Sequence, residues 1–168
     1  MKDEAKSQLK KIIGDYDEKL ALAERLDAAN RAAHAAFPGR FVTLKTETIQ
    51  PAIQEIADIL NERGHKASVR EQDESSSTES GVKSAAISLR IIPKPFAHKS
   101  AETNPIAIEI TFSANRSERK VAVSSTNAML NQGGSVGKRG EYQIEAVTAD
   151  VVVSHVIQTL SEAFSGTR

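Results

Sequence analysis

Cysteine is missing from the 168-residue chain, and with it go disulfides, thiolate nucleophiles and every zinc site that needs sulfur. Tryptophan is missing as well, and aromatic residues make up only 4%. A core must therefore be built from Ile, Leu, Val and Ala, and few rings are on hand for stacking on nucleic-acid bases. Neither sign of charge is in excess. The 22 basic side chains meet 22 acidic ones, and the balance holds on both sides of Arg70, so the chain as a whole exerts no electrostatic pull on nucleic acid or a membrane. No apolar run approaches the length of a bilayer span, and the opening MKDEAKSQLKKIIGDYDEK mixes charges with apolar residues. That pattern is expected of a cytoplasmic protein with no membrane partner.

Metal and catalytic motifs are equally scarce. His34, His65, His98 and His155 are scattered with no HxH, HxxxH or HExxH spacing, which predicts neither a metal site nor a cofactor. There is no GxSxG elbow, and Glu109 and Glu145 read as the polar outer face of strands. No catalytic residue is nominated, and the protein is expected not to be an enzyme.

What the sequence does hold is periodicity. From Asp3 to about Ala36 the residues are helix formers interrupted only by Gly14, and Leu9, Ile13, Tyr16, Leu20 and Ala23 recur at alternating steps of four and three, the spacing of a coiled-coil seam. Leu26, Ala29, Ala33 and Phe37 continue it with a slight drift, and Pro38-Gly39 predicts its stop. Such a helix spans about 50 Å, more than a globule of this size can shelter. A second helix is signalled by Thr48 as cap, Pro51 in the first turn, the stripe Ile49, Ile53, Ile56 and Leu60, and Gly64 beyond it.

Period-two segments follow: 66–71, 85–92, 106–113 and 120–124, the last two joined by a turn at Asn115–Glu118 into a hairpin, with 142–147 as a fifth strand. Thr148 or Asp150 caps a closing helix with the stripe Val152, Val156, Leu160 and Phe164. The expected fold is α+β: an antiparallel sheet of four to five strands, two helices before it and one closing helix after it packed on one face. Residues 1–38 form a long amphipathic helix, read as an oligomerisation element, and 39–168 the globular domain. Two stretches, Asp73–Gly81 and Pro93–Pro105, are expected to be loose.

The stretch Asn131 to Tyr142, NQGGSVGKRGEY, has the composition of a phosphate-binding loop. Such a loop needs a strand before it and a helix after it, so that backbone N–H groups converge on the anion. Here an alternating segment follows, and only three residues separate Gly133 from Gly137. A glycine-rich connection between the fourth and fifth strands is therefore the expectation. The sharper alternative is an anion site on a basic rim of Arg116, Arg119, Lys120, Lys138 and Arg139, opposed in sequence only by Glu118, which would hold a phosphorylated ligand or nucleic acid.

The favoured reading is a non-enzymatic protein-interaction or scaffold domain, homo-oligomeric or bound to a partner helix. Its partner-binding residues would be Leu9, Ile13, Tyr16 and Leu20, with Phe96 in the proline-bounded stretch as a second contact. A small-ligand carrier or enzyme with a pocket between the closing helix and the sheet is the remaining alternative.

Overall fold

The computed structural model describes residues 3–77, 81–94, 96, 106–127 and 135–165. The chain divides into two compact units, Met1–Phe37 and Pro38–Arg168. Helix α1, Asp3–Leu44, supplies every described residue of the first unit and the beginning of the second. It passes through Gly14 and does not stop at Pro38-Gly39 as the sequence suggested. A proline inside a helix removes one N–H and crowds the carbonyl four residues back, at a cost of about 3 kcal/mol. Phe37 and Phe41, on either side of it, are both buried, and each contributes about 1.5–3 kcal/mol by leaving water. Burial outweighs the breaker.

The helix then widens into a π-helical turn, Lys45–Ile49, and continues as α2, Gln50–Glu62. Thr48 lies inside that turn, so the predicted cap does not exist, while Pro51 does occupy the first turn of α2. The turn has a geometric use. Phe41, Lys45, Ile49, Ile53 and Ala57 follow one another at four-residue steps and all are buried. In a 3.6-residue turn such a row drifts around the helix, and one wider turn offsets the drift. Gly64, at φ 86, ends α2, with His65 N–H donating to Leu60 O and Gly64 N–H to Asn61 O. This is a Schellman ending, which only glycine enters without strain. Asn61 then ties the next strand to the helix end, bonding both the N–H and the C=O of Ala67.

The sheet is α+β in the expected sense, antiparallel throughout. Its strands are β1 (Lys66–Gln72), β4 (Ala86–Ile92), β5 (Ile108–Asn115), β6 (Lys120–Asn127) and β7 (Ser135–Gln143), neighbours in that order. Inserted between β1 and β4 is a small separate ladder of β2 (Ser75–Ser77) and β3 (Gly81–Lys83). The stretch expected to be loose at Asp73–Gly81 thus contains β2 and the first residue of β3, while 78–80 lie outside the described residues. On β5 burial alternates strictly: Ile108, Ile110, Phe112 and Ala114 are buried. They share the inner face with Leu89 and Ile91 of β4 and Val121 and Val123 of β6.

Helix α3, Ala149–Ser165, closes the unit against α2 and β5. Thr148 Oγ1 accepts from Val151 N–H and caps it. Val152 and Val156 are fully buried as the stripe predicts, but the buried face continues through Thr159 and Ala163, leaving Leu160 half-exposed and Phe164 exposed. Steps of four in a 3.6-residue turn rotate the stripe out of the core. Phe164 instead stacks on His65, ring centroids 5.5 Å apart.

The fifth strand is the largest correction. Residues 142–147 form only the end of β7 and a 3-10 turn, Ile144–Ala146. The strand itself begins within the glycine-rich stretch, where Gly137, Lys138, Arg139 and Gly140 all belong to β7. Ladder pairing with β6 overrides the poor strand propensity of glycine.

Candidate functional site

The seam on α1 is open. Every described residue from 3 to 32 is exposed, and on the seam Leu9 is 47%, Ile13 49%, Tyr16 64% and Leu20 47% accessible. Ile12 and Leu26 widen the apolar stripe on one side and are exposed as well. On the other side stand Lys6, Lys10, Asp17 and Glu24, which share one flank at 100° per residue. Residues of this spacing bury themselves in folded proteins because each exposed Leu or Ile forgoes about 1.5–3 kcal/mol. Nothing within the first unit does so here.

Of the five cations of the basic rim, Arg116 and Arg119 lie in a turn, Lys120 and Lys138 on the outer face of the sheet and Arg139 on the inner. The turn Arg116–Arg119 joins β5 to β6, and Arg119 adopts φ 55. Arg116 Nη1 lies 2.5 Å from Glu74 Oε1, and Lys120 Nζ pairs with Glu118 at 3.2 Å and Glu141 at 4.0 Å. A register shift between Val123 and Ser124 leaves Arg139 bulged from the ladder. The bulge separates two neighbours in sequence. Lys138, opposite Ser124 on the outer face, pairs with Glu141 at 3.0 Å. Arg139 reaches inward to Ser125 Oγ at 2.7 Å and to Glu162 of α3 at 2.6 Å.

Four of the five cations thus have carboxylate partners; the fifth, Arg119, pairs with no carboxylate among the described residues. Their effects show on the acids. The Lys138 ammonium holds Glu141 below the ordinary carboxylate range, and the Arg139 guanidinium does the same to Glu162. Sequence proximity suggested one opposing acid, Glu118; the fold adds Glu74, Glu141 and Glu162. Asn131–Gly134, the first part of the loop, lies outside the described residues, as do His98 and most of Pro93–Pro105. Phe96 is half-buried, its N–H donating to Pro93 O at 2.9 Å.

A polar cluster that the sequence did not reveal lies between β7 and α3. Tyr142 Oη and His155 Nε2 are 2.7 Å apart, and their rings meet edge to face. With Asp150, Val151, Ser154 and Gln158 they line an open cleft of about 320 Å³. His155 is 8% exposed, and its Nδ1 is buried without a hydrogen-bond partner among the described residues. Burial, assisted by the Arg139 charge, pulls its pKa below the ordinary imidazole value. The Tyr142 ring lies over Gly140: a Cβ there would sit 2.9 Å from Tyr142 Cε2. A strand predicted to start at 142 hid the closeness of Tyr142 to Gly140.

Two further polar features serve the fold. Lys45, buried in the π turn, reaches Glu71 at 2.9 Å and Asp73 at 3.4 Å, and the Glu71 hydrogen bond raises its pKa despite burial. On the outer sheet face Glu109 accepts from Ser88 Oγ at 2.8 Å and pairs with Arg90 at 3.6 Å, beside a shallow groove of about 410 Å³. Glu145 does not join it. It lies in the 3-10 turn and pairs with Arg40. Among the described residues no group of three or more His, Asp or Glu is placed to share a metal ion, and no helix is long and apolar enough to cross a membrane.

No protein family matches the chain, and neither curated proteins nor solved structures yield a detectable relative. Function therefore rests on the residues alone.

Proposed function

We propose that the chain is a non-enzymatic, cytoplasmic protein-interaction module that works as a homo-oligomer, with the seam Leu9, Ile13, Tyr16 and Leu20 as its contact surface. The observation that carries this reading is the exposure of those four side chains along a helix that has no core of its own. A single amphipathic stripe gains its stability from packing on another surface, and an identical stripe is the partner always present at the same concentration. The absence of cysteine agrees with a reducing compartment.

The basic rim gives less support to a phosphate or nucleic-acid reading, because each paired cation must give up a carboxylate before it can hold a phosphate. The Tyr142–His155 cleft is the observation that keeps a small-ligand reading in second place.

Light scattering on the full chain tests the proposal. The wild type is expected to have a multiple of the 18.1 kDa monomer mass, and a Leu9→Glu, Ile13→Glu, Leu20→Glu variant to be monomeric with an unchanged sheet signal in circular dichroism. A wild type that stays monomeric at hundreds of micromolar contradicts it.

A further inference from the structure

The order of charges along α1 specifies more than an apolar partner. One flank carries Asp3, Lys10, Asp17, Glu24 and Arg31 at heptad spacing, with opposite charges, Lys10 and Asp17, on either side of Gly14. At heptad spacing from Ile13 and Leu20, Lys6 and Asp27 occupy the seam positions at its two ends. Parallel pairing would bury each against its own copy, an arrangement that costs stability for like charges. Turning one copy around removes both conflicts.

Resting on the reading of the seam as a self-association surface, we propose that two copies pair antiparallel about a two-fold axis near Gly14 and Asp15. Leu9 then packs on the partner's Leu20 and Ile13 on the partner's Tyr16, each contact occurring twice. Lys10 lies beside the partner's Asp17, an opposite-charge contact that occurs twice about the axis. Lys6 also faces the partner's Ala23 in place of another lysine. An antiparallel pair joins a-type to d-type positions across the interface, and the step pattern of this seam satisfies that about a single centre. A two-fold interface of this kind closes at two copies, which limits assembly to a dimer.

Because the chain has no cysteine, single cysteines report the orientation directly in the full-length protein. Leu9→Cys mixed with Leu20→Cys is expected to form a disulfide-linked dimer under mild oxidation, while Leu9→Cys alone does not. Leu9→Cys linking to itself as readily as to Leu20→Cys overturns the antiparallel arrangement. A second measurement does not depend on disulfide geometry. Lys10→Glu is expected to weaken association about tenfold, the equivalent of 1.4 kcal/mol spread over two symmetric contacts, and adding Asp17→Lys to restore it. No rescue by the second substitution overturns the orientation while leaving self-association standing. A wild-type chain that is monomeric by light scattering removes the orientation and the underlying reading together.

Discussion

Two rows of side chains in this molecule have nearly the same spacing and opposite fates. Leu9, Ile13, Tyr16 and Leu20 are about half exposed, whereas Phe41, Lys45, Ile49 and Ile53 are buried to within a few per cent. Both rows lie on continuous helix. What separates them is the presence of a sheet: β1 and β4 cover α2, and α3 closes over β5. An apolar row defines a face to be covered without saying what covers it. In the second unit the cover is the chain itself; for the first, the proposal makes it another copy.

The comparison predicts very unequal responses to substitution. Phe112→Ala, in the centre of the inner sheet face with no exposure, is expected to destabilise the second unit by about 3–5 kcal/mol in urea unfolding followed by circular dichroism. A loss under 1 kcal/mol would mean that the sheet is not the stability core.

Gly140→Ala is expected to cost about 1–3 kcal/mol, because the new methyl would sit 2.9 Å from a Tyr142 ring already fixed by His155. Tyr142→Phe removes that hydrogen bond for about 1 kcal/mol. The order of these two losses sharpens the account of the β7–α3 contact; a larger loss from Tyr142→Phe would reverse it.

A pH series gives a smaller effect of known sign. Burial depresses the native pKa of His155 and of His65, whose ordinary value is 6.5. The unfolded chain therefore takes up protons first as pH falls. Stability is full above 6.5 and declines as pH drops through the interval from 6.5 to the depressed native values. Loss from Glu141 and Glu162, whose pKa values lie below their ordinary 4.5, sets in only in more acid solution. His155→Gln is expected to flatten the upper interval, as read from urea midpoints between pH 7 and pH 5. Midpoints that rise on acidification over that range contradict the burial argument.

The least effect on unfolding is expected on α1. Ile13→Ser should leave the midpoint of the second unit within about 0.5 kcal/mol of wild type while weakening self-association about tenfold or more. Leu22→Ser, exposed but off the seam, should change neither.

Much of this architecture was legible in the letters. The strict alternation of Ile108, Ile110 and Phe112, a turn expected at Asn115–Glu118 and found one residue later, and the Thr148 cap, offered beside Asp150, all follow from local pattern, and local pattern is what the chain obeys there. The sequence misled where tertiary burial competes with propensity. Pro38 stays helical because of the phenylalanines beside it, and glycine-containing 135–140 pairs as strand because β6 offers a ladder. The rim illustrates a third case. Arg116 and Glu74 are far apart in the chain and adjacent in space, so a count of neighbouring charges overstated how free those cations are. The Tyr142–His155 pair was hidden for the same reason, since only the closing of α3 onto the sheet brings the two rings together. The seam needed no such knowledge, because its residues are read from one helix.

Amide hydrogen exchange of residues 9–23 as a function of protein concentration bears most directly on the central claim. If a second chain shelters the seam, protection of those amides is expected to rise with concentration and reach a plateau, while protection in β4, β5 and β6 stays constant. Exchange in 9–23 that is the same across a hundredfold range of concentration, with the chain monomeric throughout, would contradict it.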